Sequence, residues 1–203
     1  MLHQVTGADD ILVGSPVANR ERPEFEGQIG HYLNTVVLRD TVHRNETFAV
    51  LLQRVRTTVT EALTHQSYPF DLLVEELAPR PAAGHQPLFD VQINLMPGDA
   101  PSLRLGELSM EGLATNSGTT IFDLNFMFSE SASGLALEIG YATALFEPAT
   151  VARLGNALLR VLVAAAREPG RTVRSLCAVV DGEDGEVERA AFLKASLQLD
   201  GDF

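Results

Sequence analysis

The sequence predicts an α/β fold, a sandwich in which a mixed sheet carries helices on one face. Three observations predict it. Segments 89–95, 122–128 and 135–141 alternate apolar and polar residues with period two. Segments 47–64 and 148–167 repeat apolar residues at three- and four-residue steps, the period of an amphipathic helix. The elements run strand, strand, helix pair, several strands, helix, with no internal repeat.

Taken in order, residues 1–6 read as the end of a helix stopped by Gly7. A domain that opens on a helix's last turn implies a segment ahead of it. Residues 10–18 read as a short buried strand around Ile11, Val13 and Val17, with Pro16 and Asn19 ending its regular pairing. Residues 19–30 are a loop, and 33–39 a second strand centred on Val36, Val37 and Leu38. The helix over 47–64 puts Phe48, Leu51, Leu52, Val55, Val59, Ala62 and Leu63 on one face. Asn45 is its expected N-cap and Thr47 the second choice. Pro69 starts a shorter helix at a position where its missing N–H costs nothing. Phe70, Leu73, Val74 and Leu77 form that helix's stripe, and Pro79 and Pro81 end it.

Phe89, Val91, Ile93 and Leu95 are expected on one strand face, with Asp90, Gln92 and Asn94 on the other. Phe122, Leu124, Phe126 and Phe128 oppose Asp123 and Asn125 in the next strand; Leu135, Leu137, Ile139 and Tyr141 face inward in the third. Ser133-Gly134 suits the hairpin turn between the last two. The 97–120 connection, longer than the usual loop of about 4–6 residues, has room for a short strand at 103–105 or 108–110. Glu147-Pro148 opens a helix through 167, with Val151, Leu154, Leu158, Val161, Leu162 and Ala165 as its core face and Pro169-Gly170 as its stop. Residues 173–180 are read as an edge strand. The domain is placed at 1–180 and an acidic linker and tail at 181–203, with room for a helix over 187–199.

Composition narrows the function. A chain of 203 residues can bury about 70% of its unfolded surface, so no metal or disulfide is needed for a core. The net charge of -12, with fifteen dispersed basic residues, argues against nucleic acid, whose backbone demands clustered Lys and Arg. The longest uninterrupted apolar run, 161–166, is too short for a membrane span, and no secretion signal opens the chain. Cys177 is the single cysteine, so no internal disulfide forms, which suits a reducing cytosol and a cytoplasmic location. No paired Cys and no His at i and i+4 offer a metal site, and neither a Gly-x-Ser-x-Gly elbow nor a phosphate loop occurs.

Four segments then appear in order. They are Asp9-Asp10-Ile11-Leu12-Val13-Gly14-Ser15-Pro16-Val17-Ala18-Asn19-Arg20; Ile29-Gly30-His31-Tyr32-Leu33-Asn34-Thr35-Val36-Val37-Leu38-Arg39; His65-Gln66-Ser67-Tyr68-Pro69-Phe70-Asp71 running into Leu73-Val74-Glu75-Glu76-Leu77; and Pro87-Leu88-Phe89-Asp90-Val91. Phe122-Asp123-Leu124 and Tyr141-Ala142-Thr143-Ala144-Leu145-Phe146 add to them. Together they resemble the condensation-domain family of nonribosomal peptide synthetases, over about residues 2–180 and only the C-terminal half of such a domain. The resemblance implies one lobe of a two-lobed fold like chloramphenicol acetyltransferase. The lobes meet in a V around a tunnel where an acceptor amine attacks a donor thioester, each carried on a phosphopantetheine arm. It implies an N-terminal lobe and peptidyl or aminoacyl carrier proteins as partners. It implies no directly bound cofactor, the phosphopantetheine arms being substrates. The family's H-H-x-x-x-D-G motif belongs to the N-terminal lobe and is absent here: none of His3, His31, His43, His65 and His85 has a neighbouring histidine. No catalytic residue is therefore assigned, and the isolated chain is expected to be inactive, since a base must lie within hydrogen-bond reach of the amine. A non-catalytic module that binds carriers or self-associates is the competing expectation.

The resemblance also singles out residues. Asn34 sits near the family's tunnel centre. Two readings stand: its amide positions a carbonyl or a pantetheine group, or it ends a loop and bonds backbone. Thr35 reads as structural. His31 and Tyr32, beside Asn34, are candidate channel-lining residues. Asn94 and Asn125 lie on polar strand faces that are either solvent or tunnel wall. Gly14, Pro16 and Arg20 shape the loop after the first strand, Arg20 either pairing with a carboxylate across the lobe boundary or lying at the surface. Pro69, Phe70, Pro87 and Phe89 complete the structural motif residues. His65 at a helix end favours the dipole's negative pole. Residues 115–120 are the candidate for a segment that crosses to the other lobe, against an ordinary hairpin loop.

Overall fold

The computed structural model describes residues 1–77, 86–97, 104–105, 108–109, 119–131 and 134–180. Helix α1 (Leu2–Thr6) ends at Gly7, whose φ of 75° is the left-handed cap that its sequence position predicts. Strands β1 (Asp10–Val17) and β2 (Asn34–Thr41) pair antiparallel, from Asp10 opposite Thr41 to Val17 opposite Asn34. Helices α2 (Phe48–Thr64) and α3 (Phe70–Leu77) follow. Next come β3 (Val91–Pro97), a small hairpin of β4 (Arg104–Leu105) and β5 (Leu108–Ser109), then β6 (Leu124–Ser131) and β7 (Gly134–Tyr141). Helices α4 (Pro148–Arg167) and α5 (Val173–Val180) close the described chain. The sheet order is β2-β1-β3-β6-β7, with β1–β3 and β3–β6 parallel and the outer pairs antiparallel, so the sheet is mixed as expected. Both candidate short strands exist, but they pair with each other and not with the main sheet.

The core lies on one face. Leu124 and Leu154 are the largest fully buried side chains, and Val5, Val91, Phe126, Phe128, Phe146 and Val151 pack with them. The alternation of β6 thus points Leu124, Phe126 and Phe128 at α1 and α4, while Asn125 and Met127 point away. Between α2, α4, α5 and the sheet an apolar cleft of about 340 Å³ stays open, floored by Ile93, Phe126 and Phe128 and walled by Phe48, Leu51 and Leu158.

Several expectations are corrected. Residues 173–180 form helix α5, not an edge strand: Val173, Leu176, Cys177 and Val180 are its buried residues, and that spacing is helical. The N-cap of α2 is Thr47, whose side chain accepts from the Val50 N–H, not Asn45. Pro16 does not end pairing. It sits opposite Thr35 in β2, and β3 meets β1 at Gly14 alone, so no ladder needs the missing N–H. Phe89 and Phe122 precede their strands and stack on each other at 5.4 Å instead of joining the alternation. Leu88, held at φ 75°, turns the chain there. Leu95 and Leu135, expected inward, are 63% and 55% exposed, and Leu52 and Leu63 of the expected α2 face lie largely in solvent. Helix α4 is long and apolar enough to cross a membrane, with mean hydropathy 1.4 across 18 residues; Arg153 and Arg160 had broken its apolar run in the sequence. In the fold its Val151, Leu154, Ala157 and Ala165 are buried. The expected stops Pro79 and Pro81, His85, segments 98–103, 106–107 and 110–118 of the 97–120 connection, Ser133 and the whole 181–203 tail lie outside the described residues.

Two helix starts satisfy each other. The first N–H groups of α2 donate to carbonyls of the α4–α5 turn, Phe48 to Arg171 and Ala49 to Pro169. In return Val173 and Arg174, opening α5, donate to the carbonyls of Glu46 and Arg44. Groups that helix geometry leaves orphaned are thus paired across the loops. The Glu46 carboxylate anchors this junction. Arg54 grips it through two bonds of 2.8 and 2.7 Å, and the His43 N–H adds a third at 3.1 Å.

Two predictions follow from this packing. A Cβ on Gly14 would come within 2.1 Å of the Phe89 ring, so Gly14→Ala should lower stability by about 1–3 kcal/mol, as overpacking does. Chemical denaturation measures this, and Phe89→Leu in the same chain should restore part of the loss. The Arg54 hydrogen bonds hold the Glu46 carboxyl below its ordinary range. Its contribution is therefore full above the unfolded-state value and disappears as pH falls through the depressed folded-state value. Glu46→Gln should cost about 1–3 kcal/mol near neutral pH, the size expected of hydrogen bonds to a charged group. That difference from the unaltered chain should close as melting curves are taken into acid.

Candidate functional site

The first residue of β2 and the start of α3 meet at a depression of about 450 Å³. Asn19, His31, Tyr32, Asn34 and Thr35 line one side; Ser67, Pro69, Phe70 and Asp71 line the other. Residues of the second and third sequence motifs are thereby brought to one place, although about 30 residues separate them.

Asn34 makes that junction. Its Nδ2 donates to the carbonyls of Gln66 and Tyr68, both at 2.7 Å. Its Oδ1 accepts from the Phe70 N–H at 3.1 Å. Phe70 is the first residue of α3, and Pro69 before it has no side-chain hydrogen-bonding group. Asn34 supplies from β2 the cap that α3 lacks locally. Both Nδ2 hydrogens are committed to backbone, and Oδ1 keeps one lone pair.

Behind this wall, Arg20 organises the 20–32 loop. Its guanidinium donates to the carbonyls of Phe25, Gln28 and Gly30 and lies 4.3 Å from the Tyr32 ring centroid. Tyr32 also stacks on Phe25 at 5.2 Å and donates its hydroxyl to Gln28 Oε1 at 2.6 Å. Tyr32 is therefore fixed, whereas His31 beside it is exposed. Between Ser67 and Pro69 in sequence, Tyr68 donates its hydroxyl to Glu76 at 2.6 Å, and that bond raises the phenol's pKa. Beneath, the Phe89 ring bridges Phe70 and Phe122, centroids 5.7 and 5.4 Å apart, so the base of α3 rests on an aromatic stack over Gly14.

The structure does not bring all five candidate lining residues together. Asn34, His31 and Tyr32 share the depression, with Thr35 at its edge. Asn94 and Asn125 lie on the sheet face turned away from the core, in register with Met127 and Gln92 respectively. The Asn125 Oδ1 is buried without a hydrogen bond among the described residues. Ser67 and Asp71, which line the depression, were visible in the sequence only as members of the third motif. His3 is buried, accepts at Nε2 from Arg44 Nε at 3.1 Å and bonds the Ala8 carbonyl through Nδ1 at 2.8 Å. His65 occupies the C-cap of α2, and His43 is exposed. Among the described residues no group of three or more His, Cys, Asp or Glu is placed to hold a metal, and none of these histidines is bonded to a nucleophilic side chain.

Asn34→Ala should cost about 2–4 kcal/mol, since three hydrogen bonds of roughly 1 kcal/mol each are lost and their backbone partners are left behind. Hydrogen exchange should show lost protection first at Phe70–Leu73. Asn34→Asp, which keeps the acceptor, should retain the Phe70 bond and lose those to Gln66 and Tyr68. Unchanged stability in Asn34→Ala would remove its capping role.

Comparison with known proteins agrees with this geometry. A family model described as the condensation domain matches residues 1–187. Surfactin synthase subunit 1 of Bacillus subtilis is 39% identical over 174 residues, covering 85% of this chain and 5% of that protein. Phosphinothricin tripeptide synthetase PhsB of Streptomyces viridochromogenes is 40% identical over 174 residues, covering 81% of this chain and 14% of its own length. The chain thus spans a small part of the curated relatives it matches. A crystal structure of a four-domain nonribosomal peptide synthetase bound to AMP and glycine superposes with a TM-score of 0.78 at 20% identity, over 86% of this chain and 14% of that one. On the ordered motifs, the mixed sheet and these matches, the chain belongs to the condensation-domain family of nonribosomal peptide synthetases.

Proposed function

We propose that this chain is the C-terminal lobe of an amide-forming condensation domain, supplying one wall of the channel that holds carrier-bound substrates, and that it forms no bond by itself. The observation that carries the reading is the single depression where the second and third motifs meet, pinned by Asn34. In the reaction, the acceptor amine nitrogen attacks the donor thioester carbonyl carbon. The carbon–sulfur bond breaks, the thiol of the donor arm leaves, and the amine's surplus proton passes to it. A base within hydrogen-bond reach of the amine serves that transfer. We read that group as supplied by an N-terminal lobe carrying the H-H-x-x-x-D-G motif, which this sequence lacks. Phosphopantetheine arms enter as substrates, with peptidyl and aminoacyl carrier proteins as the partners that deliver them. Asn94 and Asn125 extend the polar wall along the sheet face turned away from the core. The bacterial relatives and the lone, buried Cys177 support a cytoplasmic setting.

A second reading, a non-catalytic module that binds carriers or pairs with itself, is favoured by exposed apolar residues next to the depression: Ile29 projects fully into solvent and Leu33 is 61% exposed. Sedimentation separates the two, since self-association shifts the mass with concentration.

The test joins the chain to an N-terminal lobe from one of these synthetases and supplies aminoacyl- and peptidyl-loaded carrier proteins. Amide product should appear only with both lobes, and replacing the motif's second histidine in the added lobe should abolish it. Product from this chain alone would overturn the proposal, as would two assembled lobes that neither bind a carrier nor form product.

A further inference from the structure

Helix α4 carries a second pattern besides the one that buries it. Val151, Leu154, Ala157 and Ala165 form its buried face. On the opposite side Ala152, Asn156, Leu159, Val163 and Ala166 are all exposed. They follow one another at steps of four, three, four and three residues, the seam spacing of a helix that packs along another helix. The seam is about 21 Å long at 1.5 Å per residue. Its two large members, Leu159 and Val163, are 45% and 50% exposed. Shallow depressions flank it. One of about 390 Å³ is walled by Leu135, Leu137 and Ile139 of β7. The other, of about 500 Å³, is lined by Val163, Ala164, Arg167 and, from α5, Val179. Leu159 belongs to both.

One flank of the seam is basic. Arg153, Arg160 and Arg167 recur every seven residues beside it, at the positions where paired helices match charges. Arg153 is half-buried and donates to the Thr150 hydroxyl at 3.1 Å. Arg160 and Arg167 are exposed and enter no ion pair among the described residues. Residues 148–180 hold five arginines against the single acid Glu168, in a chain of net charge -12. An acidic partner is therefore repelled by most of the molecule and attracted to this strip. A second copy fits poorly. Antiparallel self-pairing would set the arginine row against itself, and parallel pairing would set it against Gly155 and Leu162, which carry no acid. A lipid surface calls for a wider apolar face than two large side chains. The small Ala152 and Ala166 instead let a helix backbone approach closely, and a polar Asn156 within a seam specifies register.

We propose that the outer seam of α4 is a docking site for an amphipathic helix of a partner protein, apolar along its own seam and acidic on the flank that meets Arg160 and Arg167. Docking covers Leu159 and Val163, and Asn156 sets the register. The site shares no residue with the depression pinned by Asn34 and does not rest on the function proposed for it.

The test titrates the full chain into two fluorescent three-heptad peptides with leucine at their seam positions, one carrying glutamate at both flanks and the other lysine. Anisotropy should show saturable binding of the glutamate peptide and little of the lysine peptide. Amide shifts on binding should centre on residues 152–167. Affinity should fall at about 1 M salt, where the screening length is about 3 Å. R160E/R167E, both exposed positions, should bind the glutamate peptide at least about tenfold more weakly. It should bind the lysine peptide in its place, which an unfolded variant would not do. If that variant folds poorly, R160Q/R167Q should lose the glutamate peptide without gaining the other. No binding of the glutamate peptide, equal binding of both peptides, shifts centred elsewhere, or a chain that ignores the peptides and sediments with phosphatidylserine vesicles would each overturn the proposal.

Discussion

Everything at the candidate site depends on one side chain reaching across 36 residues of sequence. Asn34 opens β2, and the same amide closes the turn after α2 and caps α3. Proline forces this arrangement. Pro69 holds the backbone in a helix-starting geometry but brings no side-chain acceptor, so the first N–H of α3 must be satisfied from elsewhere. Because the partner is in the sheet, the position of α3 is tied to the most rigid layer of the fold. The depression is then a consequence of that tie: its two sides are the two ends of the Asn34 network. The capping role and a place in the wall of the depression are compatible. The amide hydrogens serve the fold, while the neighbours they place, Ser67, Asp71, Tyr32 and His31, face the open space.

The layer beneath is built by exchange of the same kind. The aromatic stack of Phe70, Phe89 and Phe122 rests on Gly14, where absence of a side chain lets a ring approach the sheet. On the other side of the molecule, α2 and α5 cap each other through backbone carbonyls, and Glu46 with Arg54 locks the loop between them. Short helices are marginal alone. Here the eight-residue α3 and α5 persist because each is fastened at its N-terminus by residues distant in sequence.

Which parts were legible follows from this. The period-two pattern of Leu124, Phe126 and Phe128, the helical face of α4 and the Gly7 stop are local signals, and local signals survive in a single sequence. The helix α5 was legible as well: Val173, Leu176, Cys177 and Val180 mark one face, but β-branched residues and short length favoured a strand. Phe89 and Phe122 were misassigned because the alternation was extended two residues ahead of the starts of β3 and β6. The Asn34 network could not be read at all. A side chain that bonds backbone 32–36 residues away leaves no periodicity, and the motif that contains it says only that asparagine is present.

The same division between local pattern and distant contact bears on the chemistry. A wall that positions substrates needs shape and hydrogen-bond donors or acceptors, and these can be held by a lobe whose polar groups are mostly spent on its own fold. A base must instead be poised, unspent and within reach of a proton in flight. Among the described histidines, His3 is engaged by Arg44, the Ala8 carbonyl and the Asp9 carboxylate, and His31 is exposed in the depression that Asp71 also lines. On the reading proposed above, that base comes from a partner lobe, and this chain contributes shape and the hydrogen-bonding groups of one wall.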